Sequence, residues 1–154
     1  MHSAPQVEVS HLSVMDVPMM LNIEQAAHSH PWSRQLLSSN FGGLYRNLGL
    51  WHKNHLLAYM ILRVVAGDAE LINLAVDPAH QGQGLGKRLM QAMFALAEQQ
   101  QWQQIMLEVR RSNVIAQSLY QRFQFVEIDC RKGYYPCDKL GREDALIMQY
   151  CCTV

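Results

Sequence analysis

The 154-residue chain predicts an α/β domain built on a mixed sheet of seven strands with helices beside it. Three observations carry that class. Short apolar runs of strand length alternate with segments whose apolar residues recur at helical spacing. A Lys53-Asn54 turn joins two of the runs as a hairpin. The run from Leu71 to Val76 passes through Asp77-Pro78 into three alternate glycines, Gly82, Gly84 and Gly86, and then into a helix.

The elements follow in order. Val7 to Val9 reads as a first strand. Asp16 is placed to cap a helix that opens at Val17-Pro18, where proline is tolerated in the first turn. Leu21, Ile23, Ala26 and Ala27 supply its apolar face, and His30-Pro31 ends the segment because the residue before proline avoids helix. Ser33 caps a short second helix, Arg34 to Ser39, and Gly42-Gly43 breaks the chain. Strands follow over Tyr45–Trp51, Leu56–Val65 and, after a Gly67-Asp68 turn, Glu70–Val76. A long helix from Gly84 to about Gln100 has Leu85, Leu89, Met93, Leu96 and Ala97 on one face. Ile105–Val109 is a short strand. The helix from about Asn113 to Phe123 turns Ile115, Ala116, Leu119 and Phe123 inward, and Phe125–Cys130 and Ala145–Tyr150 close the sheet.

Length is that of one domain, 1–154, able to bury a real core. Thirteen basic residues balance thirteen acidic ones, which gives no reason to expect direct nucleic-acid binding. No apolar run approaches a membrane span, and Met1–Ser10 lacks the basic-then-apolar pattern of a signal peptide, so the expectation is a cytoplasmic monomer. Cys130, Cys137, Cys151 and Cys152 lack C-x-x-C spacing, and His28-Ser29-His30 has no third ligand nearby in sequence. Free thiols and no metal are expected.

The glycine run is a phosphate cradle in outline. Glycines permit close backbone approach and positive φ, and a helix N-terminus offers unpaired N–H groups. Two common patterns fail by counting. A P-loop puts Gln81 where its first glycine belongs and Arg88 where its Ser/Thr belongs. A G-x-G-x-x-G fingerprint puts its third glycine at Lys87 or Leu89. Taken alone, three spaced glycines also describe an ordinary strand-to-helix turn.

What remains, Gln81-x-x-Gly84-x-Gly86 after Ala-Val-Asp-Pro, resembles the pyrophosphate loop of the GNAT acetyltransferases, Arg/Gln-x-x-Gly-x-Gly/Ala. A second stretch adds to it: Leu107-Glu108-Val109-Arg110, then Asn113-x-x-Ala116-x-x-Leu119-Tyr120, then Phe125. It is similar to that family's other coenzyme motif, with Gln124 standing where the family usually has glycine. Pro31-Trp32-Ser33, Tyr134-Tyr135-Pro136 and Gly141-Arg142-Glu143-Asp144-Ala145 further resemble the branch that acetylates the N-terminal alanine of a small-subunit ribosomal protein. The resemblance implies the GNAT fold, with a mostly antiparallel sheet, and acetyl-coenzyme A as co-substrate without a metal. It implies coenzyme contacts from Leu74, Ala75, Val76, Gln81, Gly82, Gln83, Gly84, Leu85, Gly86, Lys87 and Asn113. It gives Glu108 as general base, Tyr120 as general acid, and Trp32, Tyr134 and Tyr135 as acceptor-binding residues, with a ribosomal protein N-terminus as the partner.

Those roles suit the chemistry. An α-ammonium with a pKa of roughly 7.7–8.0 must lose a proton to attack a thioester. A carboxylate at its ordinary value of about 4.3 is a weak base, so Glu108 is expected to act through water or with a raised pKa from partial burial. A phenol near 10 can protonate a thiolate whose conjugate acid lies near 8.5, and the Val76 N–H is the family's oxyanion donor. Each residue also has a plainer reading: Glu108 an exposed strand residue, Tyr120 core filling, Asn113 a helix cap, Tyr134-Tyr135 a hairpin cover. The alternative acceptors are a small-molecule amine or a protein lysine. A basic acceptor tail calls for an acidic groove, for which Glu24, Glu143 and Asp144 are candidates.

Overall fold

Seven strands hydrogen-bond in the order β1-β2-β3-β4-β5-β7-β6. They are β1 (Glu8–His11), β2 (Leu48–His52), β3 (His55–Val65), β4 (Asp68–Val76), β5 (Gln104–Arg110), β6 (Val126–Cys137) and β7 (Gly141–Cys151). Helices are α1 (Val17–Ala27), α2 (Arg34–Ser39), α3 (Leu85–Gln100) and α4 (Val114–Arg122), with 3-10 turns at Val14–Asp16 and Pro78–His80. The computed structural model describes residues 6–137 and 141–152, without the Cys137 side chain. The first five residues of the segment read for a signal peptide therefore lie outside the described residues.

Every neighbouring pair of strands is antiparallel except β4 and β5, which run parallel. That pair is short: Asp68, Ala69, Glu70 and Leu71 match Gln104, Ile105, Met106 and Leu107, and there it stops. Beyond Leu71, β4 stays with β3 as far as Val76, while β5 stays with β7 as far as Arg110. The sheet is thus split at the C-terminal ends of its two middle strands.

A core lies on each face. One is built on α3, with Leu85, Leu89, Met90 and Met93 against Met60, Leu62, Ile105 and Leu107. The other is built on α1 and α2, with Val17, Met20, Ile23 and Leu37 against Tyr59, Ile61 and Ala75. In β5 the residues alternate: Ile105, Leu107 and Val109 are buried, and Gln104, Met106, Glu108 and Arg110 lie on the other face half-buried.

The structure corrects several expectations. Asp16 makes no capping bond to α1; it closes a capping box with Ser13 on the preceding 3-10 turn. The buried stripe of α1 is Val17, Met20, Ile23 and Glu24, while Ala26 is exposed and Leu21 half-buried. Tyr45 forms only an isolated bridge to Arg63, and β2 begins at Leu48. Ile115 is 87% exposed rather than inward, since the packed stripe of α4 is Ala116, Leu119 and Tyr120 and Ile115 falls just outside it. Ser33 caps α2 as expected, accepting from the Leu36 N–H at 3.1 Å.

Gln124 occupies the left-handed region, φ 69°. The Phe125 N–H reaches back to the Tyr120 carbonyl at 3.1 Å, which is the Schellman closure of α4. The helix therefore ends as it would with glycine, at a steric cost of about 1–2 kcal/mol for a Cβ in this region. Gln124→Gly is expected to raise stability by up to about 1 kcal/mol, part of the relief being offset by the greater freedom of glycine in the unfolded chain. A thermal melt showing a rise of roughly 2–4 °C checks it.

Candidate active site

The split between β4 and β5 opens into a cavity of about 420 Å³. Its wall includes Leu71, Ile72, Asn73 and Leu74 of β4, Glu108, Val109 and Arg110 of β5, Asn113 and Tyr120 around α4, Trp32 and His28 from the α1–α2 turn, and Tyr135 of β6. The sequence-predicted Glu108, Tyr120, Trp32, Tyr135, Leu74 and Asn113 are thus brought to one place, although they span more than a hundred residues of chain.

The backbone of the split is as informative as its side chains. The Asp77 N–H donates to the Leu57 carbonyl at 2.9 Å, on the β3 side. Amides alternate along a strand, so those of Val76 and Leu74 point to the opposite edge, from which β5 has departed. At the end of β4 the chain makes the Pro78–His80 turn and enters the glycine loop. Gly82 and Gly84 adopt φ of 80° and 77°, with open space where a Cβ would stand. Gly84 is the N-cap of the sixteen-residue α3 and brings no capping side chain, so the first N–H groups of the helix are left for a ligand. The exposed Lys87 and Arg88 lie in that first turn. Gln81 and Gln83 are exposed beside it.

Other members of the predicted set have different placements. The side chains of Ala75 and Leu85 are buried in the two cores, so only their backbones can meet a coenzyme. Val76 packs on the α3-side core. Gly86 is needed for packing: a Cβ there would stand 3.2 Å from Leu119 Cδ2, where α3 passes α4. Asn113 caps α4, its Oδ1 accepting from the Ala116 N–H at 3.2 Å, and also lines the cavity. Tyr134 is 44% exposed and does not line the cavity; it meets Tyr135 edge-on at 5.1 Å.

Sequence reading missed two arginines. Arg131 Nη1 lies 3.2 Å from Glu108 Oε1, and its guanidinium stands 5.3 Å from the Tyr134 ring centre. Arg110 lies 4.4 Å over the Tyr135 ring, donates to the Pro136 carbonyl at 2.8 Å and pairs with Glu143 at 3.3 Å. Both follow β5 alternation and the β6–β7 register, neither of which a lone basic residue reveals. Gln117 braces the β5–α4 turn, donating to the carbonyls of Arg110 and Arg111.

The three carboxylates expected to form an acidic groove do not all reach the cavity: Glu24 lines it, and Glu143 and Asp144 do not. Glu24 is buried and accepts three hydrogen bonds, Glu143 is taken by Arg110 and Ser112, and Asp144 by Arg111 and the Gly133 N–H. The Gly133 N–H, with Arg111 beside it, holds the Asp144 carboxyl below its ordinary range. Cys130, Cys151 and Cys152 are free thiols, and the Cys137 side chain lies outside the described residues. Among the described residues no group of three His, Cys, Asp or Glu could hold a metal, and no helix is long and apolar enough to cross a membrane.

Residues 17–125 match the Acetyltransferase (GNAT) family. The chain belongs to the GNAT acetyltransferase family. It is therefore an acetyl-CoA-dependent N-acetyltransferase with the GNAT fold. Its relatives include the ribosomal protein bS18-alanine N-acetyltransferase of Escherichia coli K12, 41% identical over 91% of this chain and 94% of the relative. That of Haemophilus ducreyi is 42% identical over 86% of this chain and 92% of its own. The crystal structure of the Escherichia coli enzyme superposes with a TM-score of 0.92 at 39% identity, covering 97% of this chain and 96% of that one.

Burial is the main cause that lifts the phenols of this GNAT cavity. It pushes Tyr120 well above the ordinary tyrosine value, and pushes Tyr135 up to about 12 with the Glu108 charge adding to it. Between about pH 10, where an unfolded tyrosine ionises, and about pH 12, the folded chain retains protons that the unfolded chain loses. Stability from Tyr135 is therefore fully present below pH ~10 and is lost as pH rises through its folded value. Urea unfolding across this window should show a steeper alkaline loss for the wild type than for Tyr135→Phe.

Proposed function

We infer that this enzyme transfers an acetyl group from acetyl-CoA to the N-terminal alanine amine of ribosomal protein bS18. The observation that carries the reading is the single cavity in which a strand carboxylate, Glu108, and a buried phenol, Tyr120, face the open edge of β4. Relatives that carry this activity in their names match over nine-tenths of the chain, which gives the acceptor.

In this reading the Gly82–Lys87 segment holds the coenzyme pyrophosphate on its free N–H groups, with Gln81, Gln83 and Lys87 alongside. The Leu74–Val76 edge pairs with the pantetheine arm as a strand neighbour, replacing the β5 partner that β4 has lost. Asn113 closes the coenzyme side at the start of α4. Trp32 and Tyr135 flank the incoming N-terminus, and Tyr134 stiffens Tyr135 from behind.

Glu108 removes a proton from the acceptor ammonium. One of its oxygens is engaged by Arg131, which favours delivery through a bridging water over direct contact. The amine nitrogen then forms its bond to the acetyl carbonyl carbon, and the Val76 N–H donates to the oxygen on which charge develops. As the C–S bond breaks, Tyr120 gives its proton to the departing sulfur; the phenol is protonated at neutral pH, and the burial that raises its pKa also raises that of the thiol forming beside it. The nitrogen sheds its second proton to water, and Tyr120 is refilled from solvent. Two protons leave nitrogen, one ends on the thiol, and one is released.

Acetylation of a peptide beginning Ala-Arg, followed by mass, tests the whole reading. Turnover of free polyamines or internal lysines without modification of that peptide would contradict it. With the peptide as acceptor, Glu108→Gln and Tyr120→Phe should each lower kcat by about 10²–10⁴ while leaving acetyl-CoA affinity within a few-fold. Unchanged rates in both would remove the assigned chemistry.

A further inference from the structure

The mechanism leaves one buried charge unused. Glu24 sits on the sheet-facing stripe of α1, 1% exposed, and yet lines the same cavity as Glu108. It accepts a hydrogen bond from the Tyr59 hydroxyl on β3, one from Asn73 Nδ2 on β4 at 2.8 Å, and one from the Trp32 N–H at 2.9 Å. All three donors are neutral. Three donors converge on one side chain, an arrangement that a carboxylate, which only accepts, satisfies. The ionisable cation beside it, among the described residues, is His28. Its Nε2 stands 3.6 Å from Glu24 Oε1, too far for a hydrogen bond, and makes none elsewhere.

The other charges of the cavity are matched. Arg131 pairs with Glu108, and Arg110 with Glu143. Among the described residues, Glu24 is the carboxylate whose charge no arginine or lysine of the wall answers, and a poorly solvated wall screens such a charge far less than water does. A buried charge of this kind is costly unless it is matched. The ligand that matches it is a cation entering between Trp32 and Asn73. Two of these bonds, from Trp32 and Asn73, tie the α1–α2 turn to β4 through Glu24, and the third ties α1 to β3.

We propose that Glu24 is a positioning and specificity-determining residue: it fixes the acceptor wall through Trp32 and Asn73, and its charge makes the cavity select an acceptor that arrives as an ammonium. The inference rests on the peptide-amine reading above and deepens it. Three of the roughly four acceptor positions of Glu24 are taken by these bonds, and in this assignment Glu108, not Glu24, removes the proton. It sets where the amine waits before Glu108 acts.

The test is binding, measured by calorimetry on the whole protein with coenzyme A present at pH 6.5, where the acceptor amine is charged. Two ligands are compared: a peptide beginning Ala-Arg, and its des-amino counterpart in which propionyl replaces alanyl. The wild type should prefer the charged peptide about ten-fold or more, equivalent to about 1.4 kcal/mol. Glu24→Gln keeps the size of the side chain and should reduce the preference to less than about three-fold while coenzyme A affinity holds, the neutral side chain having lost most of that charge term. Glu108→Gln should retain most of the preference. Equal binding of the two peptides by the wild type overturns the inference. So does a preference that survives Glu24→Gln, or one that Glu108→Gln abolishes. If Glu24→Gln does not fold, the wild-type comparison and the Glu108→Gln result still decide. A wild type that acetylates the Ala-Arg peptide yet binds both ligands equally overturns this inference alone; one that never acetylates it overturns the reading beneath as well.

Discussion

The structure depends on the brevity of the parallel contact between β4 and β5. Four residue pairs hold the two halves of the sheet together, and then each strand follows its other neighbour. Backbone amides that leave a ladder need another partner. The Leu74–Val76 edge is therefore an incomplete ladder, open on the side that β5 has left, and β4 runs from it through the Pro78–His80 turn into the glycine loop. The open strand edge and the anion cradle are consecutive along one segment of chain. That continuity lets a single molecule with an amide-bearing arm and a pyrophosphate occupy both.

The rest of the cavity at the same split is built differently, from side chains held by one another. Arg110 stacks on Tyr135 and pairs with Glu143, which joins β5 to the β6–β7 hairpin. Arg131 joins Glu108 to Tyr134. On the facing wall Glu24 gathers Tyr59, Asn73 and Trp32. Partly exposed ion pairs such as Arg131–Glu108 contribute little to stability on their own. In the proposed function their value is geometric, because a base and an acid act only when both are aimed at one atom.

Much of this was legible from residue order. Helical spacing marked the α3 face, because Leu85, Leu89, Met93, Leu96 and Ala97 all meet one core and nothing competes with the pattern. The glycine loop was readable because two of its glycines, Gly82 and Gly84, stand where the backbone takes positive φ. Glu108 and Tyr120 stood out by resemblance, while their junction in one cavity required the β5–β7 register and the turn into α4. Ile115 misled because helical spacing in a short helix does not fix the edge of the packed stripe, and Ile115 lies just beyond Ala116, Leu119 and Tyr120. Glu24 misled because a glutamate in an apolar stripe looks like a solvent-facing residue until its partners, thirty-five and forty-nine positions away, come into view. Tyr134 and Tyr135 are adjacent on one strand, so alternation allows only one of them to face the cavity.

Hydrogen–deuterium exchange of the backbone amides with and without coenzyme A tests the central claim most directly, because that claim concerns amides. Binding should slow exchange at Leu74 and Val76 and through Gly82–Lys87, leaving the β2–β3 hairpin tip at Lys53-Asn54 unchanged. Tight binding with no added protection at the β4 edge or in the loop would contradict the account.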